Sequence, residues 1–567
     1  MSWMYFARVS LTISFMVILC ACGGGSGPKR PDSKPQSSNV TAPTPAIENV
    51  EPHTPPVTQP APGKILLSGR ITYDRVQFDG RTFRGLDYSK TLPLPARGVS
   101  VQLLDGNNVV RHSSFTDDEG NYSFSVESDA NLRVRVVAEL LGIERAAWHI
   151  QVRDNTAGNA LYVLDGSLAS TGDSDQTRNL HAASGWGGDG YNAARSAAPF
   201  AILDSIYDAL QTVVSADPDV VLPPLTIYWS EKNIAISGSY SQGHIGTSFY
   251  TSDGPAIYLL GAADNDTDEY DRGVVQHEFA HYIEHQLSRT ETLGGSHSLS
   301  AQLDMRVAFG EAWGNAFAGM VSGDPIYRDS MGQKQAQVFT INVENRGYGR
   351  QGWFSESSIQ TLLYDLFDAE QDGSDMLSLG FKPIYDVITS ERYLSFAGFA
   401  SVFAFNAELL RQRPEITSQL TQMLHSLNIF GTGWYGEGET NDAGSAITLP
   451  VYRQISLGQT VNVCSNSQTQ DYNGVDVRRF LHITLPATRS YTISAHRKGG
   501  TLLRTNPQLR IFRQGNEVGS IMNGTPDSEN ATRWLEAGEY IFEVYEESNA
   551  DWNRSNGGLA CFDIRIQ

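Results

Sequence analysis

The feature that most constrains this chain is a segment from Val274 to Arg289 without glycine or proline, which contains His277, Glu278 and His281 in the order H-E-x-x-H. Its apolar residues recur at helical spacing, so the segment is predicted to be a helix. On a helix, two histidines four positions apart lie roughly 40° apart around the axis and about 6 Å apart along it. Both imidazoles can then bind one metal ion, and Glu278 can contact a water molecule on that ion.

A second helix is predicted over 307–318, where small and apolar residues surround a single charged side chain, Glu311. Burying a carboxylate without a partner is costly, and binding a metal is one way to offset that cost. A hydrolytic zinc site needs a third protein ligand of this kind and an open fourth position. Glu311 is therefore the candidate for the third ligand.

Together the two helices resemble those of the gluzincins, the zinc peptidases of thermolysin-like architecture. The resemblance implies that His277, His281 and Glu311 bind one zinc ion and that Glu278 is the general base. It departs at Asn315, where the family usually has an aspartate that holds a ligand histidine. Asparagine can orient the imidazole from this position but adds no charge, so it would raise the basicity of the ligand less.

The motif has three other interpretations. A metzincin is excluded because Glu284 and Leu287 occupy the glycine and third-histidine positions of that motif. The inverted order H-x-x-E-H is also present, from His281 to His285, and would make His285 a ligand instead of His277. A packed helix with fortuitous histidines is the remaining alternative.

A hydrolase also needs groups that act on the substrate. The oxyanion that forms during hydrolysis needs a hydrogen-bond donor, for which Tyr348 is the first candidate, with His297 and Tyr364 after it. Extended substrates pair with the edge of a β-sheet in thermolysin-like enzymes, and 245–250 is the candidate edge strand.

The N-terminus has the features of an exported lipoprotein. Residues 1–21 contain a short apolar run of signal-peptide type, and Leu19 to Cys22 resembles a bacterial lipobox. That resemblance implies cleavage before Cys22, lipidation of Cys22, and an outer-membrane location in a Gram-negative bacterium. An ordinary signal peptide with a chance cysteine is the alternative. Residues 22–63 are rich in Pro, Ser and Gly and are predicted to be a disordered tether.

Two β-rich segments flank the predicted metal domain of 175–448. Residues 64–165 resemble the transthyretin-like module of carboxypeptidase-regulatory type, and 450–567 resemble the bacterial pre-peptidase C-terminal domain. In an exported protein, Cys464 and Cys561 are predicted to form a disulfide. The expected fold class is multidomain, with a two-lobed α+β zincin domain between two all-β sandwiches.

Charge limits the partners of the chain. The net charge of −21 argues against nucleic acid or an anionic membrane surface. The carboxylates between Asp264 and Asp271 suggest a Ca²⁺ site, although the glycine and the final glutamate of an EF-hand are absent. Capping of the following helix by Asp268 or Asp271 is the simpler alternative.

These observations lead to one expected function and one rival. The first is an exported, lipid-anchored metallopeptidase, in which a zinc-activated water attacks a peptide bond and Glu278 accepts its proton. The rival is a binding or adhesion lipoprotein of the cell envelope with a structural or inactive metal site. The intact Glu278 favours the first, because a structural site needs no base.

Overall fold

The computed structural model describes most of the chain after the predicted tether. The described residues are 56–81, 84–143, 145–370, 375–469, 472–551 and 557–567. The predicted signal peptide, Cys22 and nearly all of the tether lie outside them. The described part is multidomain and mixed α/β. It contains no helix that is long and apolar enough to cross a membrane.

The N-terminal part is built from strands, of which β1 and β5 alternate buried residues with less buried ones, as the sequence pattern predicts. The strands are β1 (Ile65–Phe78), β2 (Leu86–Pro95), β3 (Val99–Asp105), β4 (Val110–Phe115), β5 (Asn121–Val126), β6 (Asn131–Ile143), β7 (Ala147–Asp154), β8 (Ala160–Leu161), β9 (Val163–Asp165), β10 (Ala169–Ser170), β11 (Gln176–Thr177) and β12 (Leu180–Ala182).

The central part carries all the α-helices of the described residues. Its elements are α1 (Ala198–Ala216), β13 (Leu225–Trp229), β14 (Phe249–Thr251), β15 (Ala256–Leu259), β16 (Gly261–Ala262), β17 (Asp266–Thr267), α2 (Arg272–Leu287), α3 (Met305–Ser322), β18 (Ile326–Met331), β19 (Gln337–Asn342), α4 (Glu356–Phe367), α5 (Phe381–Ile388), α6 (Glu391–Leu394), α7 (Val402–Gln412) and α8 (Thr417–Ser426). The predicted helices over the metal motif and over Glu311 are therefore confirmed as α2 and α3.

One sheet joins the N-terminal and central parts. Its path runs β14-β15-β13-β7-β6-β3-β4, and β7 pairs in parallel with β13. The segments predicted as two domains, 64–165 and 175–448, thus share a sheet and one continuous apolar core. The parallel pairing of β1 with β11 and β12 adds a second connection between the two segments.

The edge strand of this sheet begins later in the chain than predicted. The strand expected over 245–250 is confined to β14, which begins at Phe249. Gly246 has a φ of +85°, a left-handed conformation in which an extended strand cannot continue. β14 pairs only with β15 among the described strands, so it does form an edge of the sheet.

The C-terminal part contains two further sheets. Its strands are β20 (Tyr452–Gln454), β21 (Thr460–Ser465), β22 (Arg478–Leu485), β23 (Arg489–Gly500), β24 (Pro507–Arg513), β25 (Asn516–Ile521), β26 (Ser528–Leu535), β27 (Gly538–Glu546) and β28 (Ala560–Ile566). Both sheets contribute side chains to a core of their own. Cys464 on β21 lies opposite Cys561 on β28, and their sulfur atoms are at bonding distance, in agreement with the predicted disulfide.

Candidate metal centre

The centre lies where α2 and α3 pack against each other, and the residues from Val274 to Glu284 of α2 and from Met305 to Met320 of α3 are buried. Glycine on α3 makes this close approach possible. A Cβ atom at Gly314 would lie 2.6 Å from the His277 ring, and one at Gly310 would lie 3.6 Å from the Glu284 carboxylate. The Trp313 indole N–H donates a 3.0 Å hydrogen bond to the carbonyl of Ala280, which fixes the register of the two helices.

Three side chains converge at this contact with the geometry of metal ligands. The Nε2 atoms of His277 and His281 are 3.1 Å apart, and they lie 3.4 and 3.5 Å from Oε2 of Glu311. Ligands about 2.0–2.1 Å from a tetrahedral zinc ion are separated by about 3.3 Å. Oε2 of Glu311 is buried and has no hydrogen-bond partner among the described residues. These three residues therefore fit a bound metal ion.

The outer nitrogen of His277 is held by an amide. Its Nδ1 lies 3.0 Å from Oδ1 of Asn315, and the Asn315 amide NH₂ donates to Glu356 and Gln360 on α4 at 2.8 and 2.9 Å. Because the amide oxygen can only accept, the proton of His277 sits on Nδ1 and Nε2 presents its lone pair. A metal ion placed between His277 and His281 would accept this lone pair.

The outer nitrogen of His281 faces the carboxylate of Glu284. Oε2 of Glu284 lies 4.0 Å from Nδ1 of His281 and is buried. A carboxylate beside the outer nitrogen of a ligand histidine raises its basicity. The spacing of three residues on one helix face is the sequence signal that points to this pair.

The pKa values of Glu311 and His281 are shifted in opposite directions. Burial raises the pKa of Glu311, but His297 and His281 lower it more, so the net shift is well below the ordinary value. Burial lowers the pKa of His281, but Glu311 and Glu284 raise it well above the ordinary value. Without a metal ion, this arrangement holds a proton on His281 beside a charged Glu311.

Glu278 is buried close enough to the three candidate ligands for its charge to interact with theirs. Its residue is completely buried, and neither carboxylate oxygen meets hydrogen-bond geometry with any group in the described part of the chain. Burial raises the pKa of Glu278, while the imidazoles of His277 and His281 oppose the rise. A buried carboxylate with both oxygens unsatisfied is costly unless it receives protons or donors during function.

His297 joins the site from the loop between α2 and α3. Its Nε2 lies 3.3 Å from Oε2 of Glu311, and its Nδ1 lies 3.0 Å from Oε2 of Glu356. It does not belong to the group of three whose ligand atoms all lie within 4.8 Å of one another. His297 therefore stands beside the ligand set, in contact with the metal-facing oxygen of Glu311.

Other predicted residues lie elsewhere. The Tyr348 hydroxyl accepts a 3.0 Å hydrogen bond from the backbone N–H of Asn342, and Tyr364 packs against Gly319, roughly two turns beyond Glu311 on α3. Nδ1 of His285 lies 2.7 Å from the Tyr250 hydroxyl. In the described chain, His285 is not part of any group that could hold a metal, which disfavours the inverted motif.

Access to the centre is narrow. A cavity of about 80 Å³ borders His281, and the edge strand contributes Tyr250 to its wall. The other lining residues are Ser252, Glu284, Thr290, Thr292 and Gly294. Two larger depressions, of about 400 and 580 Å³, lie near Arg75 and Trp186 and include none of the three ligand residues. Of these three cavities, only the smallest is lined by a candidate metal ligand, so it is the candidate access to the metal centre.

A second group that could hold a metal ion lies ahead of α2. Carboxylates of Asp266, Asp268 and Asp329 are buried within 4.8 Å of one another. Burial raises the pKa of Asp268 to about 7 and raises that of Asp329 as well. The predicted helix capping is wrong: Asp271 precedes α2, but its side chain makes no capping bond and accepts from Ser330 instead. Asp268 accepts a hydrogen bond from the Ser248 hydroxyl.

Comparison with known proteins does not place this chain in a family. No family model and no curated protein matches it. The pre-peptidase C-terminal domain of a collagenase from Bacillus anthracis is similar at 13% identity, over 20% of this chain and 94% of that one, with a TM-score of 0.16. PliG of Aeromonas hydrophila, a periplasmic inhibitor of g-type lysozyme, is similar at 13% identity, over 20% and 96%, with a TM-score of 0.15. Such TM-scores carry no argument about fold or function.

Proposed function

We propose that the chain is a zinc metallopeptidase that hydrolyses peptide bonds, with His277, His281 and Glu311 as the zinc ligands. The observation that carries the proposal is the convergence of these three side chains near the buried carboxylate of Glu278, whose charge interacts with all three. Two histidines and a glutamate are a ligand set of catalytic zinc, which leaves a fourth position open. Zinc held there would polarise the scissile carbonyl and lower the pKa of water.

The protein groups at this site have two roles, proton transfer and positioning of the ligands. Glu278 accepts the proton of the attacking water and passes it to the leaving nitrogen. Asn315 holds the outer nitrogen of His277 by a hydrogen bond, and the Glu284 carboxylate faces that of His281 at 4.0 Å. Tyr348 remains a predicted oxyanion donor, and His297 is the better placed candidate because it contacts Glu311.

Peptide and protein substrates fit the edge of the sheet. β14 has no second neighbour among the described strands, and its Tyr250 lines the cavity beside His281. An extended peptide can add to such an edge through backbone hydrogen bonds, which suits a peptidase that cleaves between backbone amides.

The remaining expectations complete the proposal. The central part would be a two-lobed zincin domain, flanked by β-sandwiches of the carboxypeptidase-regulatory and pre-peptidase C-terminal types. A lipid on Cys22 would anchor the protein to the outer membrane of a Gram-negative bacterium, and the tether would let the domains work away from it. The group of Asp266, Asp268 and Asp329 would hold one Ca²⁺, because carboxylate oxygens are its preferred ligands.

The proposal is tested by digesting a broad peptide library with the purified, zinc-loaded protein. We expect cleavage that a chelator abolishes and that added zinc restores. Absence of cleavage by fully loaded protein, including protein checked for any missing processing, would leave the adhesion function as the better account.

A further inference from the structure

The loop that joins the two metal-binding helices is held by the C-terminal part of the chain. This connecting loop spans residues 288–304, between α2 and α3, and carries His297. The contacting segment of the C-terminal part is a turn between β21 and β22, residues 472–476, here called the anchoring turn.

Side-chain contacts of the anchoring turn reach the part of the loop next to His297. Asn473 is almost fully buried, and its amide NH₂ donates 3.0 Å hydrogen bonds to the carbonyls of both Gly294 and Ser296. These two carbonyls belong to the residues just before His297, whose Nε2 lies 3.3 Å from Oε2 of Glu311. A continuous path of contacts therefore runs from the anchoring turn to a ligand of the proposed zinc site.

Backbone contacts fix the other end of the loop. The N–H of Asp304 donates to the carbonyl of Asn473 at 2.7 Å, and the N–H of Val475 donates to the carbonyl of Gln302 at 3.0 Å. Asp304 is the N-cap of α3, the helix that carries Glu311. The anchoring turn thus sets where α3 begins.

A buried group of charges closes the same interface. Arg306, in the first turn of α3, donates to Asp304 at 2.9 Å and to Glu543 on β27 at 2.6 Å, and Arg478 on β22 lies 3.4 Å from Glu543. Removing one partner from such a buried group leaves an uncompensated charge and is costly. The interface is therefore specific and is not a flexible junction between independent modules.

We propose that the C-terminal part is a structural component of the metal centre and that Asn473 is a positioning residue for its connecting loop. The inference rests on the proposed function, because it assigns Asn473 a role toward the zinc held by His277, His281 and Glu311. Without the two side-chain hydrogen bonds of Asn473, the loop around His297 loosens, Glu311 loses a fixed neighbour, and zinc leaves the site faster.

The test compares Asn473→Ala with Asn523→Ala, a matched change at an exposed position of the same C-terminal part. Zinc-loaded proteins are mixed with an excess of a chromogenic chelator, and the rate of zinc loss is measured. Amide hydrogen exchange is followed in residues 290–301 and in β23. We expect Asn473→Ala to lose zinc at least tenfold faster, about 1.4 kcal/mol, and to exchange faster in 290–301, with β23 and Asn523→Ala unchanged.

Two outcomes would overturn the proposal: wild-type rates of zinc loss and of loop exchange in Asn473→Ala, or faster exchange confined to the C-terminal strands. If Asn473→Ala does not fold, Asn473→Ser, whose shorter polar side chain cannot donate to both carbonyls, is measured in the same way and judged by the same outcomes. Failure of the proposed function is distinguishable, because a wild type that binds no zinc still reports on the anchoring turn through the exchange of 290–301.

Discussion

Removal of the proposed calcium ion should destabilise the protein in a manner that depends on pH, because the carboxylates of Asp266, Asp268 and Asp329 are buried together. The pKa of Asp268 is raised by burial from 3.8 to about 7. A carboxyl whose folded pKa is raised contributes stability that is fully present below its unfolded pKa and lost as pH rises through the folded pKa. At about 1.36 kcal/mol per pKa unit, ionising the carboxyl group to which this shift belongs costs on the order of 4 kcal/mol at pH 8 when no cation is bound.

Bound calcium would offset this cost, because its positive charge balances the buried carboxylates. At pH 8 we expect chelation by EGTA to lower the apparent Tm by on the order of 10 °C for a cooperative unit of 150–250 residues. At pH 5 the shift should be much smaller, because Asp268 is then mostly protonated and binds calcium weakly. Asp329 and Asp271 have raised pKa values as well and act in the same direction.

The assay is thermal unfolding at both pH values, with EGTA or with excess calcium, for the wild type, Asp268→Asn and Asp253→Asn. Asp253 lies in an exposed turn and serves as the control. In EGTA at pH 8, Asp268→Asn should be more stable than the wild type, since the amide cannot ionise, and it should gain less from calcium. Equal calcium effects at pH 5 and pH 8, or an Asp268→Asn variant less stable than the wild type in EGTA at pH 8, would refute the reasoning.

Three further predictions follow from the metal centre and the C-terminal core. Zinc content measured by elemental analysis should fall in His277→Ala, His281→Ala and Glu311→Ala, but not in His285→Ala. Retention of zinc in His277→Ala together with its loss in His285→Ala would establish the inverted motif. Zinc affinity should rise with pH between 6 and 8, because zinc displaces the proton that Glu311 and Glu284 hold on His281; an affinity independent of pH contradicts this. Replacing Cys464 and Cys561 by serine should lower the free energy of unfolding by about 4–5 kcal/mol in the chain-entropy model, given their separation of 97 residues; a denaturant midpoint equal to that of the oxidised wild type argues against it.

Local sequence patterns predicted the elements that form the metal centre. Helical spacing and the absence of helix breakers predicted α2, and small residues around Glu311 predicted α3. His281 and Glu284 are three positions apart on one helix face. Their contact could therefore have been predicted from helical spacing as well. These features depend on neighbours within a few residues, and such neighbours are visible in one sequence.

Contacts between distant parts of the chain could not be predicted in this way. The pairing of β7 with β13 joins segments that look like separate modules, because a parallel pair brings together strands that are far apart in sequence. Asn473 lies 179 residues after Gly294, to whose carbonyl it donates. Nothing near Asn473 in the sequence indicates that partner. The position of Gly246 in the left-handed region likewise depends on the fold around it.

The most direct test of the central claim is the hydrolysis rate of Glu278→Gln, measured on the best peptide found for the wild type and at full zinc loading. The substitution keeps the size of the side chain and removes the carboxylate that accepts the proton of water. Glu278 is not a proposed zinc ligand, so zinc content and Tm should change little, while kcat/KM falls by at least roughly 10²-fold, the lower limit for losing a general base. Hydrolysis by zinc-loaded Glu278→Gln at the wild-type rate would contradict the proposed mechanism.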